Sequence, residues 1–158
     1  MYKILFFILF LISQSSAQKV EFTESNYINA LDMTTSKKGS LNFLPNSVIL
    51  QYHNENKIIT FNEENITVST KYDKETLEYN ENVELALFFT LVNAIFRDDI
   101  DSLKEDFDVI ISKNITLIPN DYIANVIEKI QYKKNNSKLE YLKIYFTNEN
   151  RIKIVQSN

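Results

Sequence analysis

Residues 85–96 read LALFFTLVNAIF, an apolar stretch of helical period in a chain whose other apolar residues mostly alternate with polar ones. Leu85, Phe88, Phe89, Val92, Ile95 and Phe96 fall at the i, i+3, i+4, i+7 spacing of one helical face. Leu87, Leu91 and Ala94 widen that face until Glu84, Thr90, Asn93 and Arg97 remain as a polar strip. A helix apolar most of the way round is buried or covers an apolar surface. The stretch is too short for a bilayer span, which takes about 20 residues. It therefore packs on a sheet, and what lies between helix and sheet decides what the protein can do.

The sheet is legible from alternation. The chain has one glycine and two prolines, so its turns are marked by Asn, Asp and Ser. Val20 and Phe22 open an extended segment; Ser36-Lys37-Lys38-Gly39 reads as a turn; Leu41 and Phe43 alternate with Ser40 and Asn42 until Pro45. Val48, Leu50 and Tyr52 form the next strand, residues 57–61 another, Ile66 and Val68 a further one, and a short strand surrounds Leu77 and Tyr79. That is a meander of short strands with polar turns. Asn80 or Asn82 caps the helix, which ends at Arg97. Asp101 is expected to cap a second short helix ending near Phe107, with Leu103 and Phe107 facing inward. Strands resume at 109–112, 115–118, 126–133, 138–146 and 151–155, with a helical turn near Ala124 and tight turns at 135–137 and 148–150. The expected fold is α+β and mainly β, an antiparallel sheet interrupted by helices in the middle.

Residues 1–17 read as a signal peptide. Lys3 provides the positive start, 4–12 the apolar core, and Ser15-Ser16-Ala17 the small-residue cleavage site. The expectation is export and a single domain over residues 18–158. No cysteine is present, so no disulfide can staple the fold, and the core must rest on its Phe and Tyr side chains. The formal net charge is −4, and the lysines are scattered along the chain without a basic stripe interleaved with aromatics. Nucleic acid is therefore not an expected partner.

Reactive groups are few. The one histidine, His53, stands at a strand end with no second His or Cys to share a zinc ion. One glycine cannot build a phosphate-binding loop. The acids Asp98, Asp99, Asp101, Glu105, Asp106 and Asp108 lack the glycine and spacing of a calcium loop and read as caps and a solvated face. The expectation is a non-enzyme with no metal and no cofactor. Apolar side chains, by contrast, fall on both faces of some strands: Tyr141 and Tyr145 oppose Leu142, Ile144 and Phe146. Two readings fit this pattern: a partly closed barrel whose second face lies under a loop, or a concave face that accepts an apolar guest.

The stretch 22–155 resembles the LolA-like periplasmic carriers, the outer-membrane lipoprotein carrier family, and within it the small LolA-related branch. The resemblance rests on Gly39-Ser40-Leu41-Asn42-Phe43-Leu44-Pro45, on Arg97-Asp98-Asp99 followed by Leu103 and Phe107, and on Leu117-Ile118-Pro119 before the closing strands. It implies an incomplete antiparallel β-barrel, a curved half-barrel with helices across its concave face. It also implies a monomeric periplasmic carrier in a Gram-negative bacterium. Such a carrier takes acylated lipoprotein or lipid cargo from an inner-membrane transporter to an outer-membrane acceptor, with the acyl chains between sheet and helix. The expected cavity residues are Leu50, Tyr52, Phe61 and Val68 from the sheet and Phe88, Phe89, Val92 and Phe96 from the helix. The alternative is a non-catalytic envelope binding module with a packed core and no lipid cavity.

Overall fold

The computed structural model describes residues 18–157; the expected signal segment, residues 1–17, lies outside them. Six strands leave the middle of the sheet in chain order: β1 (Gln18–Ile28), β2 (Met33–Leu44), β3 (Ser47–Tyr52), β4 (Ile58–Asn62), β5 (Ile66–Ser69) and β6 (Lys74–Leu77). The helix α1 (Val83–Phe96) then carries the chain away. Five strands return: β7 (Phe107–Ile111), β8 (Ile115–Pro119), β9 (Ile127–Asn135), β10 (Lys138–Phe146) and β11 (Arg151–Gln156). They form one sheet in the order β6-β5-β4-β3-β2-β1-β11-β10-β9-β8-β7, and every pairing is antiparallel. The first and last strands are thus neighbours at the centre, while β6 and β7 are free edges. The sheet is curved and open, and α1, which joins β6 to β7 along the chain, packs on the core of its inner face.

The inner face is built from rows of directly opposed residues. One row runs Phe43, Val48, Phe61, Ile66, Leu77; the next runs Val20, Leu41, Leu50, Ile59, Val68. On the other side of the centre, Ile152, Ile144, Ile130, Leu117 and Val109 form a third row. Period-2 alternation puts these side chains on one face, and most are buried in one core with Leu91, Val92, Ala94 and Ile95 of the helix. At roughly 0.8 kcal/mol per buried methylene, this burial takes the place of cross-links in a chain without cysteine.

Several local expectations change. Ser36-Lys37-Lys38-Gly39 is not a turn but the middle of β2, and the chain reverses instead at the 3-10 turn Asn29–Leu31 with Asp32 in the left-handed region (φ 45°). Gly39 has no unusual φ. It stands directly opposite Phe22, and a Cβ there would meet Phe22 Cζ at 2.7 Å and the Gln51 carbonyl oxygen at 2.9 Å. The glycine makes room for a ring crossing the strand. Among the described residues the left-handed turn positions belong to Asp32, Asp98, Asp121, Asn136 and Glu149, as a glycine-poor chain requires.

The second short helix is also different. Ile100–Leu103 is a 3-10 turn, capped by Asp99, whose side chain accepts from Ser102 N–H at 3.4 Å. Phe107 begins β7, although it and Leu103 are both buried as expected. A strand edge waits immediately downstream, and pairing of β7 with β8 outweighs the weak propensity of a few helical residues.

Candidate functional site

The two halves of α1 differ. Leu91, Val92, Ala94 and Ile95 are buried, whereas residues 83–90 contain no buried side chain. Leu85, Leu87, Phe88 and Phe89 are half-buried against the core, and Val83 is 45% exposed. The apolar seam between this first half and the inner face of β3–β6 is the candidate site.

Phe61 is its floor. Fully buried on β4, its ring stacks on Phe89 at 5.3 Å and lies 5.7 Å from Phe88. Tyr79, in the 3-10 turn Tyr79–Glu81 before the helix, stacks on the far side of Phe89 at 5.7 Å. Its hydroxyl donates to the Asn62 carbonyl at 2.6 Å, and burial pushes its pKa up to about 12. Offset aromatic contacts of this kind each contribute about 0.5–1.5 kcal/mol beyond the area they bury. Asn82 holds the N-cap position but does not cap: its side chain donates back to the Glu78 carbonyl at 2.9 Å.

The other end of the helix is held from both sides of the sheet. Arg97 Nη2 donates to the Leu44 carbonyl at 3.3 Å, and Nε to Asn93 Oδ1 at 3.1 Å. Lys134, on β9, donates to the Ile95 carbonyl at 2.9 Å and pairs with Asp98 at 2.6 Å. A cation at a helix C-terminus meets both the orphan carbonyls and the dipole. Phe96 packs on Phe43 at 5.2 Å. A 410 Å³ cleft lies beside this end, with Ser47, Val48, Phe89, Asn93 and Arg97 among its walls.

The eight expected cavity residues divide accordingly. Leu50, Tyr52, Phe61 and Val68 all point to the inner face, and Phe61 meets Phe88 and Phe89 directly. Leu50, Phe61 and Val92 are core, at 4%, 0% and 2% exposure. Val68, Phe88 and Phe89 are half-buried, while Phe96 packs on Phe43 and shares no ring contact with the Phe61 stack. Tyr52 belongs elsewhere. Its ring stands edge-on to Phe22 at 5.9 Å, and its hydroxyl donates to Glu24 at 2.6 Å.

That bond opens a polar end of the concave face which sequence reading missed. Glu24 is the one buried charged side chain among the described residues, 7% exposed. Asn26 donates to it at 2.8 Å, and Lys37, opposite it on β2, approaches to 3.7 Å. The Lys37 ammonium sits 3.7 Å over the Tyr52 ring and reaches Glu55 at 3.8 Å. Burial, the bond to Glu24 and the charges of Glu24 and Glu55 push the Tyr52 hydroxyl far above its usual range, so it stays a donor. The signal existed: the inward parity of Val20 and Phe22, carried two residues on, lands on Glu24. Assigning Lys37 to a turn hid its partner.

The acidic run takes caps and surface pairs: Asp98 with Lys134, Asp99 on Ser102, Asp101 with Lys104. Among the described residues no group of three or more potential ligands could hold a metal, and no helix is long and apolar enough to cross a membrane. His53 is half-exposed and bonds Glu21 at 2.9 Å.

No family model and no curated protein sequence matches the chain. Among solved structures it is similar to a LolA superfamily protein from Nitrosomonas europaea, at a TM-score of 0.43 and 7% identity, over 90% of this chain and 84% of that one.

Proposed function

We propose that this protein is a non-catalytic periplasmic carrier that shields acyl chains of lipoproteins or lipids in the seam under α1. The carrying observation is that Leu85, Leu87, Phe88 and Phe89 are only partly buried, beside a core whose other side chains are closed off from water. Each methylene kept from water in transit is worth about 0.8 kcal/mol, so a chain of ordinary length needs a continuous apolar lining and not a single contact. The rows through Phe61 and Leu50, core in the closed structure, would supply one once the first half of α1 lifts, and the Glu24–Tyr52–Lys37 end offers hydrogen-bonding groups to the polar head of the cargo. In this reading the clamped end of α1 is the hinge. The first half, with no capping side chain, swings from the sheet to admit the chain and returns to cover it. An inner-membrane donor and an outer-membrane acceptor would stand at the two ends of the journey.

A second reading, an envelope binding module with a closed core, is favoured by the Tyr79–Phe89–Phe61 stack, which already fills part of the seam. Native mass spectrometry of protein recovered from cells, with titration of a fluorescent fatty acid, separates the two. The carrier reading expects co-purified lipid, saturable binding, and at least a tenfold weakening in Leu87→Asp. A protein that arrives lipid-free and binds no fatty acid would leave the packed module standing.

A further inference from the structure

The face of the sheet turned away from α1 has the opposite character. Across β1, β11, β10 and β9, one outward row holds Tyr27, Arg151, Tyr145 and Lys129, and the next holds Ser25, Lys153, Lys143 and Gln131. Between these rows lies a depression of about 290 Å³ whose walls include Ser25, Tyr27, Lys143, Tyr145, Arg151 and Lys153. Among the described residues no carboxylate lines it, and Lys143, Arg151 and Lys153 have no ion-pair partner.

The chain carries a formal charge of −4, yet three cations gather here without an ion-pair partner among the described residues. Lys143 and Lys153 are direct cross-strand partners, and like charges in that position destabilise a sheet. The aromatic rings hold the cations in place: Arg151 lies 4.5 Å over Tyr27, Lys143 4.9 Å over Tyr141, and Lys129 4.9 Å over Tyr145. Tyr27 is itself fixed, its hydroxyl donating to Asp32 Oδ1 at 3.2 Å. A guanidinium fork and two ammonium groups around one small hollow match a compact anion with several acceptor oxygens and more than one charge. A lone carboxylate carries too little charge for three cations.

We propose that this depression binds a phosphate group, presented either by a phospholipid headgroup or by a phosphate or phosphate ester in solution. The bound anion would bridge Arg151, Lys143 and Lys153 and relieve the repulsion across β10 and β11. The site shares no side chain with the apolar seam, so it stands or falls separately from the carrier reading.

The test is a titration of the purified protein with inorganic phosphate, followed by amide shifts in two-dimensional NMR, against chloride at equal ionic strength. Saturable shifts centred on Ser25, Lys143, Arg151 and Lys153 are expected with phosphate alone. The Lys143→Gln, Lys153→Gln double variant should bind at least tenfold more weakly, with fatty-acid binding retained and a melting temperature no lower than that of the parent, since the cross-strand repulsion is gone. Equal shifts with chloride, shifts spread over all surface lysines, or unaltered binding by the double variant would overturn the proposal. Sedimentation with phosphatidylglycerol vesicles identifies the source. Co-sedimentation that the double variant loses assigns a lipid headgroup, and phosphate binding without it assigns a soluble phosphate.

Discussion

The two ends of α1 show how one sequence pattern serves two different purposes. Both halves of the helix are apolar, and from sequence they look alike. The second half is buried and clamped, by Arg97 on the Leu44 carbonyl and by Lys134 on the Ile95 carbonyl. The first half rests on the sheet through rings, has no side-chain cap, and leaves its leucines and phenylalanines only partly buried. What differs is the partner surface. The second half is tied to β2 through Phe43 and the Leu44 carbonyl and to β9 through Lys134; the first meets the sheet at Phe61 of β4. Packing, and not the apolar character of the helix, separates the sealed half from the half proposed to bind.

The sharpest way to break this comparison is at its shared floor. Phe61→Ala should destabilise the protein by about 3–5 kcal/mol in urea denaturation, because a fully buried ring leaves a cavity. A loss below about 1 kcal/mol would mean that the ring lines an already open space. Next in size is Tyr52→Phe, which strips Glu24 of its 2.6 Å donor and should cost about 1–3 kcal/mol, as for other buried groups left short of a partner. Lys134→Ala should cost about 1–2 kcal/mol. Its signature is local: amide exchange should speed up over residues 91–96 more than over 84–90. Uniform acceleration would show that the clamp is not specific to one half.

Phe88→Ala should change stability by only about 1 kcal/mol, its ring being only partly buried, while weakening fatty-acid binding; a stability loss as large as that of Phe61→Ala would erase the distinction between the halves. The smallest expected effect is alkaline. Tyr79 titrates at about 12 in the folded protein against 10.0 unperturbed. Below pH 10 folded and unfolded chains both keep this proton; above it the unfolded chain ionises first, so stability falls from pH 10 to about 12. Tyr79→Phe should make that part of the curve shallower, the slope that remains coming from Tyr52 and Tyr132, whose hydroxyls burial also pushes up.

Much of the fold is legible in the alternation of apolar and polar residues. That pattern places the strands on either side of α1, and β10 falls on Lys138–Phe146 as the alternation indicates. Which face each strand turns inward is not written in the alternation; the register of β3, β4 and β5 puts Leu50, Tyr52, Phe61 and Val68 together. Where the pattern misleads, the deciding partner is a contact that local spacing does not encode. Gly39 looks like a turn until Phe22 crosses it. Asn82 looks like a cap until its side chain finds Glu78. Tyr52 looks like a cavity wall until its hydroxyl finds Glu24, and the lysines look scattered until β1, β11, β10 and β9 lie side by side.

By itself the sequence determined the period of each element, the need for a core without disulfides, and the presence of one helix too apolar to stand in water. Those follow from local geometry, in which side-chain direction repeats every two or every 3.6 residues. Only the tertiary structure decided that β1 would meet β11, that β6 and β7 would stay open, and that α1 would lie with its second half buried and its first half only partly so. Register and burial depend on which segments become neighbours, and that choice is made by the whole chain at once.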